Sequence, residues 1–200
     1  MLQSFLAFLG GVPGEEKPIL LLLGKGFCIG VFLASYQIGS ETLFLTTPGL
    51  GQEYLDIAFF AAGFLGIFST YVYVQLQRKV NFSSLVGSNV VITFIILVIL
   101  LWLFNYSGYT SIAGDFPILP FLLFILVGPI TSVTLLGFWG VFGRVFDLKQ
   151  SKRMIGGIDT GQLTATILAF FSIPVITELG LIDNTNDLLF IATGASFGVL

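Results

Sequence analysis

Four ionisable side chains fall inside apolar stretches of the chain: Lys25, Glu41, Arg144 and Asp159. A charge surrounded by hydrocarbon is costly unless it faces a partner, a cavity or the interface, so each is a candidate for function. Lys25 sits between Gly24 and Gly26, about six residues into its stretch, or roughly 9 Å along a helix. Two readings are open for it. The side chain snorkels to the headgroups, or it faces a central cavity and contacts an anionic substrate. Glu41 follows Tyr36, Gln37 and Ser40 on the same stretch, and Lys25, Tyr36, Gln37 and Glu41 form the candidate substrate-binding set. Arg144 and Asp159 flank the basic residues Lys149, Lys152 and Arg153. An Arg144–Asp159 ion pair would close one face of the molecule, and Arg144, Lys152, Arg153 and Asp159 form a candidate cytoplasmic gate. An interfacial position for both residues is the alternative.

Other chemistry is poorly supplied. The chain has no His and one cysteine, Cys28, so zinc, haem and internal disulfides are not expected. No phosphate-binding loop, catalytic carboxylate pair or nucleophile with a histidine base can be assembled. Neither an enzyme, a metal nor a cofactor is expected. The net charge of −3 gives no support to nucleic-acid binding.

The elements that must position these residues follow from composition. Of 200 residues, 56% are hydrophobic and only 10% are charged, with a mean hydropathy of +1.00. A soluble domain carries about a quarter charged residues, so the sequence predicts an all-α polytopic membrane protein. Residues 1–17 read as a cytoplasmic amphipathic lead-in without a cleavable signal, and residues 18–200 as the transmembrane domain. Apolar spans are expected at about 19–45, 54–77, 82–104, 117–146, 155–176 and 187–200. The fourth is interrupted near Gly128 and Pro129, which predicts a kink. The sixth is too short to cross about 30 Å of hydrocarbon and reads as truncated, the chain being a fragment.

Basic residues set the expected orientation. Lys17 precedes the first span, Arg78 and Lys79 separate the second and third, and Lys149, Lys152 and Arg153 separate the fourth and fifth. The opposite loops carry Glu53, Asp56, Asp115, Glu178, Asp183 and Asp187 without Lys or Arg. The positive-inside rule then puts the amino terminus in the cytoplasm. Small residues at helix-packing spacing, such as Gly26 with Gly30, Ala62 with Gly66 and Gly157 with Gly161, predict close helix contacts.

Particular residues also carry a family likeness. Phe27, Cys28 and Ile29 followed by Glu41, Leu43 and Thr46, with Phe138, Trp139, Lys152, Arg153 and Gly161, resemble the ATP/ADP exchangers of plastids and obligate intracellular bacteria, which are related to the major facilitator superfamily. The resemblance implies a major-facilitator-like bundle of two six-helix halves with a site between them, of which this chain supplies the first half. The second half would be the same polypeptide or another chain. It also implies a secondary transporter working by alternating access in a bacterial inner membrane, with a nucleotide or other anionic solute as cargo. Where exchangers of this family carry a basic cluster late in the first span, this chain reads Gln37, Ile38, Gly39, Ser40 and Glu41. That departure separates fold from substrate and leaves a second expectation: a non-transporting membrane anchor or sensor for soluble domains beyond residue 200.

Overall fold

Pro18 lies in the first turn of a helix running Glu16–Thr46 (α1), where its missing N–H removes no helical bond, and Glu16 sets a negative charge at the positive end of the helix dipole. The computed structural model describes residues 11–12, 14–107, 117–179 and 185–199. Six further helices follow among the described residues: α2 (Leu55–Gln77), α3 (Phe82–Ser107), α4 (Ile118–Ile125), α5 (Val127–Val145), α6 (Leu148–Glu178) and α7 (Thr185–Phe197). No strand occurs among the described residues. Among the described residues five spans are long and apolar enough to cross a membrane, α4 and α5 together making one of them, and α7 contains a shorter apolar helix. The chain is therefore an all-helical membrane bundle. The lead-in over residues 1–10, and Asp115 and Asp183, lie outside the described residues.

The break in the fourth span has a local cause. Pro129 has no N–H to give the carbonyl of Ile125, and its ring crowds that carbonyl; α4 ends at Ile125 and α5 begins at Val127. The expected start of the fifth span at residue 155, after a basic loop, is corrected. Helix α6 begins at Leu148, and Lys149, Lys152 and Arg153 belong to its first turns. Asp147 Oδ1 accepts the N–H groups of Lys149 and Gln150 at 3.0 and 2.8 Å, while Gln150 Oε1 accepts the Asp147 N–H at 2.9 Å. This reciprocal capping box supplies the partners that a helix start lacks, so the helix extends past the charged residues.

Helix α1 packs against α6 and α7 and touches α4 and α5; α2 lies against α4 and α5, and α3 against α7 and, through fewer residues, α5. The tightest crossings occur at glycines. A Cβ on Gly30 would meet the Gln162 carbonyl oxygen of α6, with the Ala165 Cβ 2.7 Å away. Likewise, a Cβ on Gly128 of α5 would run into the Ala62 carbonyl of α2. Close backbone approach of this kind is how helices associate where no hydrophobic force separates them from lipid. Phe32, Tyr36 and Leu43 anchor one buried cluster with Leu100, Leu123 and Leu189. Ile19, Leu22, Phe138, Phe142, Met154 and Ile158 lie in a second, nearer the amino-terminal end of α1.

Candidate functional site

Lys25 lies nine residues into α1, roughly 14 Å along its axis, and lines a cavity of about 390 Å³. Three other elements complete it. The first turn of α3 brings Phe82 and Ser83, the last turn of α5 brings Arg144, and Val199 follows α7. Valines at 86, 90, 141 and 145 form much of the remaining wall, and no carboxylate lines it among the described residues. Lys25 and Arg144, placed in different sets by sequence reasoning, thus meet at one cavity. Two cations without a neutralising acid, between apolar walls, make a site that attracts negative charge.

Arg144 is held in a defined place. Its guanidinium carbon lies 3.3 Å from the centroid of the Phe82 ring. One turn earlier on α5, a Cβ on Gly140 would fall 2.6 Å from Cζ and 2.8 Å from Cε2 of that ring. The edge of the ring therefore abuts the backbone at Gly140 while one of its faces carries the guanidinium of Arg144. Only a residue without a side chain at 140 lets the ring come so close. Arg144 is exposed, so its N–H edges remain open to solvent and to a ligand.

The other candidates are distributed elsewhere. Tyr36 is fully buried and donates its hydroxyl to the Leu123 carbonyl at 2.7 Å; it ties α1 to α4 and has no surface to offer a solute. Gln37 donates to Glu41 at 2.9 Å along the outer turns of α1. The Arg144–Asp159 ion pair weighed from sequence is corrected, because Arg144 stacks on Phe82 and the ion pair among the described residues joins Arg153 to Glu15 at 2.7 Å. Asp159 is half-buried and Lys152 exposed. The four gate residues are not gathered into one cluster.

Sequence reasoning missed Glu15 and Gln150. The Gln150 amide donates to Glu15 Oε1 at 2.8 Å while its oxygen completes the capping box. One side chain therefore fastens the segment before α1 to the start of α6. The Val12 N–H, 3.0 Å from Glu15 Oε2, is the largest influence holding the Glu15 carboxyl below its ordinary value of 4.5, and Gln150 and Arg153 act in the same sense. The pattern Asp147-x-x-Gln150 was a signal for this helix start. Nothing in the sequence announced that Phe82 and Gly140 would position Arg144.

Compared with known protein families, with characterised proteins and with solved structures, the chain finds no match in any of the three.

Proposed function

We propose that the chain is one six-helix half of a major-facilitator-like secondary transporter of the nucleotide-exchanger type, its amino terminus in the cytoplasm of a bacterium, carrying an anionic solute by alternating access. The observation that carries this reading is the pattern of helix packing. Counting α4 and α5 as the fourth span, α6 as the fifth and α7 as the sixth, exchanging spans one to three with four to six maps the main pairings onto one another, although the first packs on the sixth much more extensively than the fourth on the third. The first span on the fifth becomes the fourth on the second; the first on the sixth becomes the fourth on the third; the third on the sixth returns to itself. Both members of the first pair cross at a glycine that admits no Cβ, Gly30 and Gly128. With successive spans alternating in direction, the first and fourth would be antiparallel, and such a pairing supports an inverted repeat of the kind found in alternating-access carriers. Lys25 and Arg144 supply the charge that an anionic cargo requires. A second six-helix half, in the same polypeptide or another, would face this one across the pathway.

The test is counterflow in proteoliposomes loaded with ATP, ADP or smaller organic anions. Exchange is expected in the parent and absent in Lys25→Ala, with helicity and melting unchanged. Parent-level exchange by Lys25→Ala would remove Lys25 from the pathway. A second reading, a transporter-like membrane anchor or sensor, draws on Gln37 and Glu41, which satisfy one another and offer no cation where nucleotide exchangers have a basic cluster. It predicts no exchange of any anion by the parent protein.

A further inference from the structure

The geometry points to the ligand class of the Lys25–Arg144 cavity: a phosphate monoester dianion with a compact or apolar remainder, not a nucleotide. The inference rests on the carrier reading and narrows its cargo. Charge comes first. Lys25 and Arg144 contribute two positive charges and, among the described residues, no acidic side chain lines the cavity, which matches a monoester carrying about −1.5 to −2 at neutral pH. A nucleoside triphosphate with about four negative charges would keep roughly half of them unpaired at this low-dielectric site.

Shape of the charge comes second. The guanidinium offers a planar fork that fits two phosphate oxygens together, whereas an ammonium offers a point charge. Arg144 is set in place before any ligand arrives, because the Phe82 ring beneath it is wedged against Gly140. Binding then requires little further ordering of a long side chain. Glycine 140 is thus a positioning residue for the site.

The remainder of the ligand meets the walls. Besides the two cations, Ser83 is the only lining residue with a polar side chain among the described residues; Val86, Val90, Val141 and Val145 offer none. A nucleobase buried there would leave its amino and ring-nitrogen groups without partners, a penalty polar sites impose strongly. One face of the Phe82 ring is already taken by the Arg144 guanidinium and is not offered to a base. A volume of about 390 Å³ also sits near the small end of ligand cavities, which run from about 300 to 1,000 Å³. The same monoester chemistry occurs in water-soluble glycerol phosphate and in the lipid phosphatidate.

The experiment uses the full chain in nanodiscs of phosphatidylcholine. Glycerol 3-phosphate, ATP and glycerophosphocholine, a phosphodiester with one negative phosphate charge, are titrated by calorimetry. A parallel sample with phosphatidate added to the disc is read by native mass spectrometry for retained lipid. The monoester is expected to bind at least about tenfold tighter than ATP and than the diester, and Arg144→Lys, which keeps the charge and loses the fork, to weaken it about tenfold (about 1.4 kcal/mol). Gly140→Ala should weaken it too while Lys25 remains in place. Soluble monoester binding in the plain disc assigns a free solute; retention of phosphatidate alone assigns a lipid headgroup. ATP or diester binding as tight as the monoester, or an unchanged Arg144→Lys, overturns the inference. Monoester binding without counterflow would sink the carrier reading and keep this one. Lys25-dependent counterflow of another anion without monoester binding would do the reverse.

Discussion

The guanidinium carbon of Arg144 lies 3.3 Å from the centroid of the Phe82 ring, which joins the end of α5 to the start of α3. A cation over a ring at a partly exposed site contributes about 0.5–1 kcal/mol. Phe82→Leu should therefore weaken glycerol phosphate binding about two- to fivefold, whereas Phe82→Tyr keeps parent affinity. Equal affinity in the Leu variant and the parent would show that the ring does not hold Arg144.

Gly30 and Gly24 share a helix and differ in their surroundings. A methyl at 30 would meet the Gln162 carbonyl and the Ala165 Cβ of α6, while one at 24 meets nothing within 4 Å. Gly30→Ala should destabilise the purified protein by about 1–3 kcal/mol, seen as a lower melting temperature in detergent. Gly24→Ala should leave melting unchanged or raise it, because alanine is the better helix former by up to about 1 kcal/mol. Matching melting temperatures for the two variants would place the α1–α6 crossing elsewhere.

Two buried tyrosines make a second contrast. Tyr36 donates to Leu123 at 2.7 Å, whereas the Tyr73 hydroxyl is buried and meets no hydrogen-bond partner among the described residues. Tyr36→Phe should cost about 0.5–1.5 kcal/mol, the net worth of a buried hydrogen bond. Tyr73→Phe should cost nothing or stabilise, since it removes a stranded polar group. Equilibrium unfolding of both variants checks the order, and a larger loss for Tyr73→Phe would contradict it.

The attachment of the segment before α1 should depend on pH in a fixed direction. The folded Glu15 carboxyl titrates below its ordinary value of 4.5, so its contribution is complete above the ordinary carboxylate range and disappears as pH falls through the lowered folded value. Amide exchange at residues 11–16, corrected for intrinsic rate, should be constant from neutral pH down to about 5 and rise below that. Glu15→Gln should show the raised exchange at every pH. A rise that begins near neutrality would point to a different group.

Much of the scaffold was legible in the sequence. The first three spans end within a few residues of their expected limits because Thr46, Pro48 and the Arg78–Asn81 run punctuate apolar stretches too long to be anything but helices. Pro129 announced the break beside Ile125 through its missing N–H. The start of α6 was misjudged because the charges of Lys149, Lys152 and Arg153 outweighed the capping pattern of Asp147 and Gln150. The burial of Tyr36 was not legible at all. Helix α1 is apolar on every side, so periodicity cannot say which face turns inward. Phe82 and Arg144 are separated by most of two spans, and only the packing of α3 against α5 brings them together.

The principal neighbours of α1 are α6 and α7, which are made well after it. At about 5–20 residues per second, the hundred or so residues between the end of α1 and the start of α6 take on the order of ten seconds to synthesise. For that interval the first span resides in the membrane with Gly30 uncovered, and the cavity beside Lys25 gains its walls only as α3 and then α5 follow. Such a helix needs a temporary companion, whether the insertion machinery or a chaperone within the membrane. Faults in α6 or α7 should therefore appear first as premature degradation of newly made chains.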